Sequence, residues 1–326
     1  MIKVSVIIPI YNVEHFITRC ATSLLEQTMK DVEFIFVDDV TPDKSIHLLQ
    51  EVLGHYPERK EQVKLIRHVT NQGLPAARNS GLAVASGEYI FHCDSDDFVD
   101  SEMLEQLYRT AKEYDVDIVW CDWWLSFEKN ERYMKQPMYA TPMDALKGML
   151  SGTMKFNVWN KLVRRRLYEE HQILFPSGYG MGEDMTMIRL FARARKVAYL
   201  PKAFYHYVQQ NSGAFCKTSS SRHLEDVRHN VAVVLNDIQQ LFGNQLEQEL
   251  AFFQLSVKFP FLISDDPEKY ALWQSWYPEA NRYIMRNIQL SLRSRCLQWL
   301  AWKHQFWAVW LYYTCVHRLV YGVIYR

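Results

Sequence analysis

The first third of the chain alternates two hydrophobic rhythms. "KVSVIIPI" (3–10) is an unbroken β-branched run, which predicts a strand covered on both faces. From Glu14 to Thr28 the apolar positions Phe16, Cys20, Leu24 and Leu25 recur at helical spacing. "VEFIFVDD" (32–39) predicts a second strand. "PDKSIHLLQEVLG" (42–54) predicts a helix, with Pro42 near its start and Gly54 at its stop. "VKLIRH" (63–68) predicts a third strand, and Leu74 to Ala85 a helix closed by Ser86-Gly87. "EYIFHCD" (88–94), Glu102 to Tyr114 and "DIVWCD" (117–122) continue the series as strand, helix, strand. Repeated strand–helix units predict an α/β fold with a mostly parallel sheet flanked by helices. Ligands of such sheets bind at the carboxyl ends of the strands.

The pattern then changes twice. Residues 121 to about 215 are less regular. There "FNVWNKLVRRRLY" (156–168) and "GEDMTMIRLFARAR" (182–195) frame a Gly-rich loop, "PSGYGMG" (176–182), and "VAYL" (197–200) predicts a strand. Residues 222–326 are helical in pattern, beginning with the amphipathic "HLEDVRHNVAVVLNDIQQLF" (223–242). The expected division is therefore 1–215, itself split near 120, and a helical region 216–326.

Composition adds three constraints. With 48% hydrophobic residues the 326-residue chain can bury a core. Lys+Arg and Asp+Glu both number 37, so no net charge argues for nucleic-acid binding. The six cysteines (Cys20, Cys93, Cys121, Cys216, Cys296 and Cys315) show no metal spacing and read as free thiols. The N-terminal apolar run is too short for a secretory signal and reads as the first strand.

Two predicted strands end in acid: Asp38-Asp39, and Asp94, Asp96 and Asp97 around Ser95. In a parallel sheet both ends lie on the ligand-binding edge. An Asp-x-Asp there presents hard oxygen donors to Mg²⁺ or Mn²⁺, whose shell a substrate phosphate completes. The competing reading is that these residues cap helices and turns; two such ends together favour chemistry. Between them, "NQGLPAARNSGLAVASG" (71–87) places Arg78 and Asn79 on a helix of small residues that can pack close to the sheet. Arg78 is either a surface side chain or a contact to nucleotide or carboxylate.

"VSVIIPIYN", "FVDDVTPDKS", "NQGLPAARNSGLAVASGEYIFHCDSDD", "NKLVRRRL" and "GEDM", in this order, resemble the family 2 glycosyltransferases of GT-A fold over residues 3–212. The resemblance implies an inverting transferase using a nucleotide-diphosphate sugar, with UDP the expected nucleotide, and a divalent cation. By that resemblance Pro9 and Tyr11 line the base and ribose pocket, and Asp39, with Asp38 beside it, contacts the uracil or ribose. Arg78 helps to hold the nucleotide, and Asp94, Ser95 and Asp96 form the ribose- and metal-binding turn. Asp97 is left for the sugar or a supporting role. Glu183-Asp184 matches the acidic pair whose Asp is the catalytic base, with a helix start expected to keep Asp184 ionised. His206 is a candidate third metal ligand, against the alternative of a packed, hydrogen-bonded histidine. The sequence departs from the family pattern at Val40-Thr41, and at Val208 or Gln209 where an Arg is usual. Residues 1–120 then become a nucleotide-binding half and 121–215 an acceptor-binding half.

Arg164 to Arg166 read as a solvated helix start. After Glu279 there is no Asp or Glu, while Arg282, Arg286, Arg293, Arg295, Lys303, Arg318 and Arg326 accompany Trp299, Trp302, Trp307 and Trp310. "FWAVWLYYTCV" (306–316) is too short to span a bilayer. Basic residues with interfacial aromatics predict an in-plane contact with the inner face of the cytoplasmic membrane; the alternative is packing within the chain or a dimer. The partners expected are thus a nucleotide sugar, a glycan or lipid-linked acceptor and a membrane surface. A nucleotidyltransferase would need a Gly-rich basic loop after the first strand, and "IPIYNVEHF" offers none; a binding module without catalysis would not need Asp184.

Overall fold

A computed structural model describes residues 1–211, 221–316 and 318. By contact it divides into two compact units. One comprises 1–145 and 156–234, the other 146–155 and 235–326. The boundary expected at 215/216 lies outside the described residues.

The first unit is built on a sheet in which nine strands occur among the described residues. Strands β1 (Val4–Ile10), β2 (Val32–Asp38), β3 (Val63–Arg67) and β4 (Tyr89–His92) run parallel, ordered β3-β2-β1-β4. Helices α1 (Ile17–Leu25), α2 (Ser45–Gly54), α3 (Leu74–Val84) and α4 (Met103–Glu113) connect or follow them. Every residue of β1, β2 and β4 is buried, as continuous apolar runs require of central parallel strands. The register sets Asp38 beside Ile10 and His92 beside Ile7, so the acidic ends of β2 and β4 leave the sheet at the same edge. The small residues of α3 serve close packing: a Cβ added at Gly81 would stand 2.4 Å from Ile7 Cγ2.

Beyond β4 the sheet, mostly parallel as expected, also takes in antiparallel strands. β8 (Lys161–Arg164), inside a stretch read as irregular, inserts antiparallel between β4 and β6 (Ile118–Ser126). It can do so because Leu162 and Val163 are buried on its two faces. β6 pairs parallel with β9 (Val197–Val208), which runs well past the expected residue 200. β5 (Phe98–Val99) and β7 (Glu131–Met134) add short antiparallel edges. Arg164 to Arg166 are not a solvated start for α6 (Arg165–Glu170). Arg164 Nη2 donates to Tyr89 Oη at 2.7 Å and to Asp115 at 2.8 Å, Arg165 Nε donates to Gly87 O at 2.7 Å, and Arg166 Nη2 donates to Asp117 at 2.8 Å. They bolt β8 to its neighbours. α5 (Pro142–Leu150) and α7 (Thr186–Phe191) complete the central stretch, and α8 (Ser221–Phe242) follows.

The second unit is helical, with α9 (Glu247–Lys258), α10 (Pro267–Ser275), α11 (Leu292–Trp302) and α12 (Phe306–Tyr312) joined by 3₁₀ turns. Its core gathers Phe253, Leu262, Trp273, Ile284, Ala301 and Val309. Lys258 is fully buried there, its Nζ donating to Trp276 O at 2.8 Å and Asn281 Oδ1 at 2.7 Å. Among the described residues no helix is long and apolar enough to cross a membrane. Cys20, Cys93 and Cys121 are buried free thiols and Cys296 and Cys315 exposed ones; Cys216 lies outside the described residues.

Candidate active site

The carboxyl edge of the parallel strands opens into a cavity of about 480 Å³. Pro9 and Tyr11 line it from the end of β1, Asp39 from the end of β2, and Asp94, Ser95 and Asp96 from the end of β4. Arg78 enters from α3, Glu183 and Asp184 from the far side, and Trp159, Tyr207 and Asn211 close it. Nine expected residues thus meet in one cavity although the sequence separates them by up to 175 positions (184 − 9).

Two expected residues do not line it. Asp38 is turned into the fold, accepting from Thr41 N at 2.9 Å and pairing with Arg67 Nε at 2.8 Å. His206 alternates along β9 to the opposite side from Tyr205 and Tyr207. There its ring stacks on Phe98 at 4.2 Å, with Nδ1 2.7 Å from Glu131 and Nε2 3.3 Å from Asp100.

Asp39 faces the cavity but is largely occupied. Its Oδ1 accepts from Gln72 N at 2.8 Å and meets His68 Nδ1 at 2.6 Å; its Oδ2 accepts from Gly73 N at 2.8 Å. It therefore clamps the turn into α3, where Gly73 has φ +85°. His68 Nε2 meets Ser80 Oγ at 2.8 Å and completes the brace.

At the end of β4 the arrangement differs. Asp94 Oδ1 receives Arg78 Nη2 at 2.8 Å, and the same nitrogen reaches Glu183 Oε1 at 3.4 Å. Arg78 is 1% exposed and passes beside the Phe175 ring at 5.7 Å, so it is no surface side chain. Burial alone would lower its affinity for the proton, but the carboxylates of Asp94 and Glu183 more than compensate and hold it charged. Its Nε and Nη1 are buried and have no hydrogen-bond partner among the described residues. Arg78 thus makes the carboxylate contact of its two sequence readings and ties the two acidic motifs together. Asp96 Oδ2 accepts from Asn211 Nδ2 at 2.9 Å. Asp97 is wholly buried and supports the turn, accepting from Val208 N and Tyr205 Oη, both at 2.7 Å, while Tyr205 Oη accepts from Asp94 N at 3.1 Å. Burial and the charges of Asp96 and Asp94 push the Asp97 carboxyl well above the usual range.

Glu183 and Asp184 lie in a three-residue 3₁₀ turn that precedes α7, entered through Gly182 in the left-handed region. Such a short turn supplies little aligned dipole. Burial, followed by the Glu183 charge, pushes the Asp184 carboxyl up to about 8. The expectation that a helix dipole keeps Asp184 ionised is therefore overturned, because desolvation outweighs it. Lys161, buried with Nζ donating to Asn157 O at 2.7 Å and Asn160 Oδ1 at 2.8 Å, opposes that rise electrostatically. Its own ammonium is brought down to about 7 by burial. The sequence reading assigned no role to Lys161, Tyr205, His68 or Asn211. The "FYHYV" run was the available signal for Tyr205, since alternation puts every second residue on the site face.

Asp94 and Asp96 are hard oxygen donors on one cavity wall, a set that fits a divalent cation completed by phosphate oxygens. Among the described residues no group of three or more His, Cys, Asp and Glu stands close enough to hold a metal by itself.

A family model described as glycosyl transferase family 2 matches residues 5–181. The glycosyltransferase EpsJ of Bacillus subtilis is 35% identical over 212 residues, 63% of this chain and 60% of that one. The poly(ribitol-phosphate) beta-glucosyltransferase of Bacillus spizizenii is 32% identical over 218 residues, 65% of this chain and 33% of that one. The chain spans about 60% of the length of EpsJ and of EpsH of the same organism. Among solved structures, S. aureus TarS 1–349 in complex with UDP-GlcNAc shares the fold with a TM-score of 0.72 at 21% identity, covering 96% of this chain and 91% of that one. The mannosyltransferase PcManGT of Pyrobaculum calidifontis, solved with GDP-Man and Mn²⁺, reaches 0.51 at 16% identity, over 95% of this chain and 86% of that one. The sheet order, the acidic strand ends and these matches agree: the chain belongs to glycosyl transferase family 2.

Proposed function

We propose that the protein is an inverting glycosyltransferase that moves a sugar from a nucleotide-diphosphate sugar, with UDP the nucleotide, to a hydroxyl of a glycan or lipid-linked acceptor in cell-surface polysaccharide synthesis. One observation carries this reading: Asp94, Asp96 and Asp184 open into the same cavity as Pro9, Tyr11 and Asp39. Nucleotide, diphosphate and acceptor hydroxyl need those groups within one ligand's length. That TarS was solved with UDP-GlcNAc and PcManGT with GDP-Man and Mn²⁺ supports a nucleotide-sugar donor.

The chain's residues divide the work. The aromatic ring of Tyr11, half exposed at the end of β1, offers a face to the base, and Asp39 holds the loop beside it. A divalent cation held by Asp94 and Asp96 would stabilise charge on the departing diphosphate. The acceptor oxygen attacks the anomeric carbon from the side opposite the diphosphate while its proton passes to the Asp184 carboxylate. The carbon–oxygen bond to the diphosphate breaks, and both electrons leave with the nucleotide. A carboxyl raised to about 8 is a stronger base, once ionised, than an ordinary aspartate. Arg78 compensates the crowded charge of Asp94 and Glu183.

The test is a panel of nucleotide sugars with Mn²⁺ or Mg²⁺, read as released nucleoside diphosphate, beside Asp184→Asn. Acceptor-dependent turnover in the parent that vanishes in the variant is expected. Undiminished turnover in Asp184→Asn removes it as base; full activity in excess chelator removes the cation.

The same reading places the protein on the inner face of the cytoplasmic membrane. On α11, Leu292 and Trp299 share one exposed helical face, with Lys303 just past its end, and on α12 Trp307, Trp310 and Leu311 share another. Trp307 is 68% exposed, and Arg293 and Arg295 add positive charge, while Asp265 is the acid that lines the groove with Trp307 and Trp310. This chemistry suits an anionic lipid surface. Sedimentation with phosphatidylglycerol vesicles, lost in Trp307→Ala/Trp310→Ala, is expected. Equal sedimentation of parent and variant would sink the idea.

A further inference from the structure

The loop that delivers the acidic pair is held at its entry by Asn79 and over the rest by a helix beyond residue 181. Residues 176–182 carry two glycines in the left-handed region, Gly178 (φ +85°) and Gly182 (φ +87°). At Gly182 an added Cβ would also stand 3.1 Å from Met185 Cε. Two such glycines give the segment little intrinsic rigidity, yet its end fixes where Glu183 and Asp184 point. Asn79 holds the entry, donating to Phe175 O at 2.8 Å and Ser177 Oγ at 3.1 Å.

The remainder is gripped by one face of α8. Arg222, Asp226, His229 and Asn230 recur at i, i+4, i+7 and i+8 and so stand on one side of that helix. Asn230 Nδ2 donates to Tyr179 O at 3.1 Å and to Met181 O at 2.9 Å. Asp226 Oδ2 accepts from Met181 N at 3.3 Å, and Arg222 Nη2 donates to Gly178 O at 2.8 Å. The Tyr179 ring lies flat on His229, 3.6 Å between centroids with planes 6° apart. Asp226 and Asn230 are each 3% exposed, which is uncommon for polar residues unless they hold something. Met181 lines the cavity immediately before Gly182, Glu183 and Asp184.

We propose that Asn230, with Asp226 and His229, is a positioning residue for the proton transfer. It locks the 178–182 loop so that the Asp184 carboxylate faces the acceptor hydroxyl. The proposal rests on the reading of Asp184 as base and adds the means by which that base is aimed. A misplacement on the order of 1 Å costs roughly 10²-fold in rate, so the two bonds of a single buried amide suffice to matter. Pro9, Tyr11 and Asp39, which face the nucleotide at the ends of β1 and β2, take no part in these bonds.

The experiment compares Asn230→Ala, His229→Ala and His229→Phe with the parent in the full chain. It measures kcat, donor KM, UDP affinity by calorimetry and the melting temperature. Asn230→Ala is expected to lose about 10- to 100-fold in kcat with UDP affinity unchanged. His229→Phe, which keeps the stack, stays near the parent, while His229→Ala loses a few-fold in kcat. Parental kcat in Asn230→Ala overturns the proposal, as does a loss of UDP affinity in proportion to kcat. If Asn230→Ala fails to fold, the His229 pair decides: equal kcat in Phe and Ala variants is the overturning result. Asp184→Asn runs alongside. If it keeps turnover, the base reading fails. If it is inactive while Asn230→Ala turns over at the parental rate, the positioning role alone fails.

Discussion

The ends of β2 and β4 look alike as sequence and differ as structure. Both strands are buried, both run out into aspartates, and their registers bring them to one edge. At the end of β2 the carboxylates are consumed by the fold. Asp38 is held by Thr41 N and Arg67, and Asp39 by two backbone N–H groups and His68. At the end of β4, Asp97 is wholly buried and bonded to the fold through both oxygens, while Asp94, paired with Arg78, and Asp96, bonded to Asn211, still line the cavity. The lesson is that an acidic strand end is a supply of carboxylates. Local donors decide how many remain for chemistry.

That contrast can be broken most strongly at Asp96. If the β4 end does the chemistry, Asp96→Asn lowers kcat by roughly 10²–10³-fold while the melting temperature holds or rises, because one of several clustered like charges is gone. Steady-state rates beside thermal melts check this; a stability loss with the rate intact would reverse the assignment.

Asp39→Asn should act the other way. An Asn carbonyl oxygen cannot accept the bonds that both oxygens of Asp39 accept now, so about 2 kcal/mol of stability is lost. Asp38→Asn, whose partner Arg67 is largely solvent-exposed, costs less, about 1 kcal/mol. Urea denaturation midpoints rank the two. Equal midpoints for Asp39→Asn and parent would show that the brace is not structural.

The last contrast is a pH dependence. The folded Asp184 carboxyl is raised to about 8, above its unfolded value. Its protonated form is the one the fold prefers. The associated stability is therefore present at low pH, below the unfolded value, and declines as pH rises toward and through 8. Asp184→Asn, which cannot ionise, should melt higher than the parent at pH 9, with the gap narrowing toward pH 5. Melting curves across that range test it, and a gap that widens toward acid would refute the buried-acid account. In the parent, kcat/KM should rise with pH across a limb above the ordinary carboxylate range.

Much of the fold was legible. β1 to β4 and α1 to α4 follow from continuous apolar runs alternating with helical spacing, and each lies within a few residues of its expected place. β8 was not legible. "KLVR" is too short to show a period, and its strand character comes from the two neighbours it pairs with. Nor could the arginines that follow it be placed. Asp115 and Asp117, which hold them, lie some 50 residues away along the chain.

By itself the sequence determined the alternation of buried strands and amphipathic helices, the acidic strand ends and the acidic pair far downstream. These are local matters, set by which side chains prefer water and where the chain can turn. Tertiary structure alone decided that Asp38 turns inward, that His206 stays with Glu131 and Asp100, and that Arg78 bridges Asp94 to Glu183. It also decided that Asp184 is a raised acid and not a dipole-stabilised anion. Each of these depends on a donor, a charge or a loss of water contributed by a distant segment. No local pattern of polarity encodes how many donors a carboxylate will meet once the chain has closed around it.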